Sequence, residues 1–247
     1  MAVLTKLTAA EAKVLLRDPG APAVVAGIPL ALLLVFGLMP DANQPDPKYG
    51  GHSPLATVIA PMAVTILLAM LALTQFPNAM GTYREKGLLK RLSASPVPPS
   101  RLLAAQLLVN LAAAVVVVLL VAVVGKLALG IALPGNPAGF LVSIVLGALA
   151  LFSVGLLVAA LAPTGRAASG IGAALLFPML ALGGVWVPKE QLPPVLQHVA
   201  DVLPLGATLN ALRATWAGDA PEALQLGAMA AFAVVCTAVA ARVFRWE

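Results

Sequence analysis

The charged residues of this 247-residue chain concentrate in one stretch, TYREKGLLKRLSASPVPPS, at residues 82–100. Residues 84–91 hold four basic side chains and one acidic side chain, although only 10% of the chain is charged. A cluster of this kind suits two uses: it can anchor a loop at a membrane surface, or it can dock a soluble partner. The surrounding sequence has to decide between them.

Residues that bind metals or form disulfides are few and far apart. His52 and His198 are too isolated for a metal centre, and Cys236 is the single cysteine, so no disulfide forms within the chain. No G-x-x-x-x-G-K-[ST] phosphate-binding loop occurs. The net charge of +5 comes without the interleaved aromatic and basic residues of a nucleic-acid-binding surface. Metal, redox and nucleic-acid chemistry are therefore not indicated, and no metal site is predicted.

The elements that carry the charged stretch are hydrophobic. The chain is 61% hydrophobic with a mean hydropathy of +0.99, which predicts an all-α integral membrane protein. A span needs roughly 20 mostly apolar residues. Six stretches qualify and leave no room for a second domain, so one transmembrane domain is expected over residues 1–247. The stretches cover residues 21–39, 54–76, 101–125, 138–162, 170–187 and 224–243.

The segment before the first span, TKLTAAEAKVLLRD, has the spacing of an amphipathic helix. Leu7, Ala10, Val14 and Leu15 recur at helical intervals, so we expect a helix that lies on the membrane surface. A cleaved signal peptide is the alternative interpretation of the first apolar run. That run of 19 residues is longer than the usual signal-peptide core of about 7 to 15 residues, which favours a span.

Lysine and arginine are distributed unequally between the two sides of the predicted bundle. Eleven lie on the side of the amino terminus and four on the other side. Because basic loops resist translocation, both termini and the charged stretch are expected to face the cytoplasm. The eleven are Lys6, Lys13, Arg17, Arg84, Lys86, Lys90, Arg91, Arg101, Arg166, Arg242 and Arg245; the four are Lys48, Lys126, Lys189 and Arg213.

A short amphipathic helix is predicted within the charged stretch. At about 100° per residue, Leu88, Leu89 and Leu92 share one stripe, with Glu85 among them. The SPVPPS sequence that follows ends this helix and restarts the chain as the third span. A plain anchor needs no such stripe. Spacing alone leaves open whether the stripe docks a soluble partner or lies on lipid.

Two short helices are predicted between the fifth and sixth spans. Apolar residues recur at helical spacing from Leu192 to Leu203, Pro204 interrupts the pattern, and a second stripe begins at Leu209. Each helix is shorter than a span. The segment is therefore either a re-entrant hairpin in the outer leaflet or a loop on the outer surface.

Polar residues inside the spans are few. Gln106 and Asn110, one turn apart in the third span, either line a transport path or hydrogen-bond to neighbouring helices. None of the six stretches contains an internal Asp, Glu, Lys, Arg or His. Ion-coupled transporters normally carry such a residue, so the sequence argues against a proton-driven antiporter.

The loop between the second and third spans, YREKGLLKRLSASPVPPSRLLAAQLL, resembles that of the type-2 family of ABC transporter permeases, particularly the small bacterial drug and antibiotic exporters. The elements that match are the Arg-Glu-Lys-Gly cluster from Arg84, the leucines after it, and Ser95 with Pro96. A second similarity is GGVWVPKEQLPPVLQHVADVLPLGATLNALRATWAG after the fifth span. It departs from the family pattern at Gly206 and Ala207, where a threonine and a tyrosine are common.

The resemblance implies an ATP-driven exporter in the bacterial plasma membrane. A separate ATPase subunit would hold ATP and Mg²⁺, and a second permease copy would complete the pathway as a homodimer. The cargo would be hydrophobic or amphiphilic, with a role in multidrug efflux and antibiotic resistance. Export of a glycan or lipid-linked saccharide is the alternative cargo class, and a membrane scaffold without transport is the alternative function.

The resemblance also assigns roles to residues. Those expected to couple the ATPase to the membrane domain are Tyr83, Arg84, Glu85, Lys86, Gly87, Leu88, Leu89 and Leu92. In the family the outer hairpin helps to close the exit. We expect the Gly206 corner to need glycine for its backbone freedom, and polar side chains such as Asp201 and Asn210 to keep the hairpin shallow. The gate residues would be Leu196, Val199, Pro204, Gly206, Leu209 and Arg213.

Overall fold

The computed structural model describes residues 2–17, 20–49, 51–93, 100–186 and 191–244, and every regular element within them is helical. An apolar chain favours helices because each helix satisfies its own backbone hydrogen bonds. The helices are α1 (Ala2–Arg17), α2 (Gly20–Gly37), α3 (Leu55–Glu85), α4 (Leu88–Ser93), α5 (Ser100–Leu129), α6 (Pro137–Leu161), α7 (Gly165–Leu182), α8 (Pro194–Val202), α9 (Pro204–Ala217) and α10 (Ala223–Val243).

Five of the described helices, α3, α5, α6, α7 and α10, are long and apolar enough to cross a membrane. Helix α2 is also apolar. Within the described residues its apolar segment is Ala26–Gly37, which is shorter than a span. Each of the six apolar stretches found in the sequence overlaps a described helix, and the first of them overlaps α2. The prediction of an all-α protein with several membrane-spanning helices is confirmed for the described residues.

Helix α3 lies at the centre of the fold. Helices α2, α5, α6, α7 and α9 all pack against it, and every side chain from Ala60 to Ala69 is buried. In the carboxyl-terminal half of α3, the Phe76 ring packs edge to face against the Phe152 ring of α6, with 5.9 Å between the ring centroids. The helix that leads into the charged stretch is therefore the most enclosed of the spans.

Two widened, π-helical turns interrupt the regular hydrogen bonding of α3, at Leu55–Ile59 and Leu71–Gln75. Each is followed two residues later by a proline, Pro61 or Pro77, which has no N–H to donate to the preceding turn. Local π-helical adjustment is a common way for a membrane helix to accommodate proline. Helix α3 therefore runs on through both prolines.

Carbonyl oxygens of the second widened turn face glycines on two neighbouring helices. A Cβ atom on Gly155 of α6 would lie 1.9 Å from the Ala72 oxygen, and one on Gly172 of α7 would lie 1.9 Å from the Leu73 oxygen. No side chain fits at such a distance. Glycine thus allows the backbones to approach closely, as small residues do at helix interfaces in membranes.

The connections between helices gather at two opposite ends of the bundle, which we name the α4 end and the α9 end. At the α9 end, Asn43 Nδ2 donates to the Leu129 oxygen at 2.8 Å and Trp216 Nε1 donates to the Ala132 oxygen at 2.9 Å. The first bond joins the α2–α3 connection to the end of α5, and the second joins α9 to the α5–α6 connection. At the α4 end, α1 and the start of α5 meet the end of α3 and the turn between α6 and α7.

We predict that Gly172→Ala lowers the free energy of unfolding by more than about 2 kcal/mol, because the new methyl group meets a backbone carbonyl that cannot move without α3. Gly170→Ala in the same helix is the matched control, since nothing lies within 4 Å of a Cβ there. The control should leave stability unchanged or raise it by up to about 1 kcal/mol. Thermal unfolding in detergent, followed by circular dichroism, compares them. Equal melting temperatures would contradict the close approach.

Candidate functional site

The charged stretch begins at the end of α3. This helix continues to Glu85, beyond residue 76, where the sequence placed the end of the second span. Lys86 and Gly87 then form a turn, and Gly87 has φ +66°, a left-handed conformation that ends helices and that glycine adopts freely. The predicted single helix carrying Glu85 together with the leucines is therefore wrong. The turn at Gly87 places Glu85 on α3 and the leucines on α4.

The side chains after the turn divide into one that is buried and a set that is exposed. Leu89 is only 1% exposed, whereas Leu88 lies on the surface. The Leu92 side chain and residues 94–99, which hold the proline run, lie outside the described part of the chain. The exposed side chains form a surface of mixed charge that we call the charged corner: Glu85, Lys86, Lys90 and Arg91.

Arg84 points into the fold, away from the charged corner. Its Nη1 donates to the Ala159 oxygen at 2.9 Å and also to the Ala162 oxygen, and its guanidinium lies 5.3 Å from the ring centre of Phe244. The carbonyls at the end of a helix have no partner within the helix, and they attract cations. Arg84 therefore binds the carboxyl end of α6 and joins it to α3.

Tyr83 belongs to a polar network that joins three helices. Its hydroxyl donates to Oε2 of Glu11 in α1 at 2.6 Å, and Nε2 of Gln106 in α5 donates to the same oxygen at 2.5 Å. Nδ2 of Asn110 donates to the backbone and side-chain oxygens of Gln106 at 2.9 and 3.1 Å. The two amides singled out in the sequence are thus buried and bonded to each other, and Gln106 also bonds to α1 and α3.

Glu11 is the member of this network that sequence reasoning missed. It is 7% exposed, whereas Ala10 and Val14, predicted on the apolar stripe, are exposed. An available signal was that Leu7, Glu11 and Leu15 follow one another at four-residue intervals, which places an acid on an apolar stripe. Burial raises the pKa of the Glu11 carboxyl above its usual value, and the two hydrogen bonds that it accepts act in the opposite direction.

A cavity of about 340 Å³ lies beside the network, between α1, α3 and α5. Glu11, Asn78, Thr82, Gln106 and Asn110 supply much of its polar lining. A groove of about 490 Å³ with a mainly aliphatic lining runs along α5 next to it. The buried polar groups of the α4 end therefore face open space, in which a ligand could be bound.

The two short helices predicted around Pro204 are confirmed. Helix α8 ends at Val202, Leu203 is extended with φ −63° and ψ 136°, and α9 begins at Pro204. The residues proposed for the gate differ in burial: Pro204, Gly206 and Leu209 are buried, whereas Leu196, Val199 and Arg213 are half-buried. Much of α9 is thus part of the protein core.

The explanation expected for Gly206 is wrong. The residue lies in the first turn of α9 and does not have a positive φ, so no special backbone angle requires glycine. A Cβ atom there would lie 2.1 Å from the Ala200 oxygen and 3.0 Å from Cα of Gly183. Glycine is needed because α9 passes very close to α8 and to the end of α7.

Polar side chains of α8 and α9 are also more buried than the sequence suggested. Asp201 and Asn210 are only 7% and 8% exposed. Oδ1 of Asp201 accepts hydrogen bonds from Asn210 Nδ2 at 3.1 Å and from Gln225 Nε2 at 3.3 Å. Asn210 and Gln225 thus hydrogen-bond to Asp201 inside the bundle, so these side chains do not hold the segment at the surface.

The described helices define a multi-pass membrane protein that exposes a charged corner at the end of its central helix. The ABC-2 type transporter family matches the chain over residues 3–216. Because this match covers most of its length, the chain belongs to that family and is the membrane component of a transporter. The resemblance found in the loop sequence is confirmed.

Two curated relatives are similar over a shorter segment. Nodulation protein J of Rhizobium meliloti (strain 1021) is 35% identical over 94 residues, which are 37% of this chain and 36% of the relative. Nodulation protein J of Neorhizobium galegae is 36% identical over 94 residues with the same coverage. The chain spans 36% of the length of these relatives, whose names refer to nodulation and state no cargo.

We predict that Arg84→Gln lowers the free energy of unfolding by about 1–2 kcal/mol, because it removes a cation from the carboxyl end of α6. Arg91→Gln is the matched control: it makes the same change in the exposed charged corner and should alter stability by less than about 0.5 kcal/mol. Both variants are compared by thermal unfolding in detergent. If they unfold at the same temperature, the contacts of Arg84 do not stabilise the bundle.

Proposed function

We propose that this chain is the membrane subunit of an ATP-driven exporter that moves a hydrophobic or amphiphilic compound out of a bacterial cell. The observation that carries the proposal is the family match over residues 3–216. The sequence has no phosphate-binding loop of the G-x-x-x-x-G-K-[ST] type, so ATP and Mg²⁺ would be held by a separate ATPase subunit. A drug, an antibiotic or a lipid-like metabolite fits this cargo class, and multidrug efflux is the corresponding cellular role.

The charged corner is the proposed docking site of the ATPase subunit. Exposed charges of both signs at one end of the bundle suit a polar interface with a soluble protein. Glu85 and Lys86 follow directly on buried α3, and Leu89 anchors α4 to the bundle. A movement imposed on the corner would pass along α3 to α6 and α7, because the helix packs tightly between them.

The apolar grooves along α5 support a hydrophobic or amphiphilic cargo. One groove of about 420 Å³ lies between α5 and α6 and is lined almost entirely by aliphatic side chains, with Phe140 as the aromatic one. Saccharides bind mostly through hydrogen bonds and stacking on aromatic rings, and only 5% of this chain is aromatic. The glycan alternative is thus less well supported by the site.

The proposed assembly has six spans, with α2 as the first, and two permease copies that form the pathway between them as a homodimer. Both termini would face the cytoplasm, as the eleven-to-four distribution of basic residues favours. Helices α8 and α9 would form a re-entrant hairpin from the outer side. Their lengths of 9 and 14 residues are too short for a span, and their position at the other end of the bundle from α4 suits an exit.

Labelling of single cysteines tests the orientation. In a Cys236→Ala background, Gln44→Cys and Asp219→Cys at the α9 end should react with an impermeant thiol reagent added to intact cells. Pro163→Cys, in the turn at the α4 end, should react only after the cells are opened. All three positions are exposed in the structure. Labelling of residue 163 from outside would reverse the orientation.

Replacement of a charge at the corner tests the coupling. We expect Glu85→Ala to lower ATP-dependent transport at least tenfold in vesicles that contain the permease and its ATPase, because a charged contact of the interface is lost. Glu222→Ala, an exposed acid at the opposite end, is the matched control and should transport normally. Normal transport by Glu85→Ala would remove this residue from the coupling interface.

The same vesicles separate the proposed function from its alternatives. Stimulation of the ATPase by the permease, together with uptake of an amphiphilic compound, supports the exporter. Uptake of lipid-linked saccharides alone would favour the glycan class. A permease that binds its ATPase but moves no member of either panel, with unstimulated ATP hydrolysis, would identify a scaffold and contradict the proposal.

A further inference from the structure

The cavity between α1, α3 and α5 adjoins the groove along α5. They share the lining residues Leu15, Gln75, Val109 and Asn110. The cavity of about 340 Å³ is lined by buried polar groups, and the groove of about 490 Å³ is mainly aliphatic. A site that is polar at one end and apolar at the other matches a ligand with the same division.

The polar end carries a buried carboxyl group. Glu11 is 7% exposed, and both hydrogen bonds that it accepts from described residues reach Oε2. Its Oε1 accepts none from the part of the chain that the structure describes, and no basic residue there forms an ion pair with it. Burial opposes ionisation of such a carboxyl group, and a cation bound beside it would stabilise the ionised form.

Lys86, the basic residue at the rim of the cavity, does not neutralise the Glu11 carboxyl group. Lys86 lines the same cavity, but its side chain is exposed in the charged corner. Solvent and salt weaken the field of an exposed charge much more than that of a buried one. The ionisable group that a ligand meets inside the cavity is therefore the Glu11 carboxyl group.

The apolar end opens at the side of the bundle. Leu16, Val116 and Leu120 line the groove and are 77%, 56% and 41% exposed. Leu108 and Ala112 continue the same strip of α5. Aliphatic walls without aromatic rings suit a flexible hydrocarbon chain, and a lateral opening allows such a chain to enter from among the lipid tails.

We propose that this site binds a cationic amphiphile, with its ammonium group at Oε1 of Glu11 and its hydrocarbon tail in the groove along α5. Tyr83 and Gln106 hold the carboxylate in place through Oε2 and leave Oε1 for the ligand. The further statement that the bound molecule is cargo, loaded from the inner leaflet, rests on the proposed function. The binding itself does not depend on it.

Photolabelling tests the site directly. The full chain in phosphatidylcholine nanodiscs is exposed to dodecylammonium that carries a diazirine on its tail, and the labelled peptides are identified by mass spectrometry. We expect labels in α1 near Leu15 and in α5 between Leu108 and Leu120, with competition by dodecyltrimethylammonium but not by dodecyl sulfate. Labelling elsewhere, or equal labelling by a sulfate-headed probe with the same tail, overturns the proposal.

Two variants test the two ends of the site separately. Glu11→Gln should weaken binding of the ammonium probe at least tenfold, while Glu222→Gln, the same change at an exposed acid, should not alter it. Val116→Trp fills the groove from an exposed position and should also weaken binding, without touching the polar network. If Glu11→Gln folds and binds the probe normally, the proposal is wrong. If Glu11→Gln does not fold, normal binding by Val116→Trp contradicts the proposal instead.

These measurements need no ATPase subunit. If the probe does not bind, but the permease transports with ATP and Glu85→Ala lowers that transport, the amphiphile site is wrong and the proposed exporter function stands. If the probe binds as expected, but the permease neither stimulates its ATPase nor transports, the amphiphile site stands and the proposed function is wrong.

Discussion

The close approach of α6 and α7 to the backbone of α3 is the constraint on which the rest of the structure depends. Pro77 leaves the preceding turn of α3 without one N–H donor, and Gly155 and Gly172 bring their helices against the carbonyl oxygens of that turn. Lipid tails are as apolar as the side chains, so helices in a membrane associate mainly through such close packing. The contact fixes α3 at the centre and thereby determines where its end, the charged corner, is presented.

Hydrogen bonds of ionisable side chains at the α4 end connect the charged corner to the interior of the bundle. Arg84 satisfies the last carbonyls of α6, and Tyr83 next to it donates to the buried carboxylate of Glu11. A buried acid is costly unless its neighbours compensate it, so these bonds hold α1 firmly to α3 and α5. Tyr83, which lines the cavity together with Glu11, is two residues along α3 from Glu85.

Much of the fold could be predicted because its signals are local. Long apolar runs, the break at Pro204 and the helix before the first apolar stretch each depend on residues close together in the chain. Two errors arose where a residue on another helix decided the outcome. Glycine at 206 is required by the Ala200 carbonyl and by Gly183, and Asp201 is buried because Asn210 and Gln225 donate to it. A pattern along one helix contains no information about such partners.

The sequence by itself determined that this is a helical membrane protein, roughly where its apolar helices lie, and which transporter family it resembles, because hydropathy, proline and the loop motif are properties of contiguous residues. Only the tertiary structure decided what the polar residues do. Glu11 meets Tyr83 and Gln106 across separations of 72 and 95 residues, and Arg84 reaches α6 across 75. No periodicity relates positions so far apart. Their meeting follows from how closely the helices pack, and that depends on which backbones the glycines allow to touch.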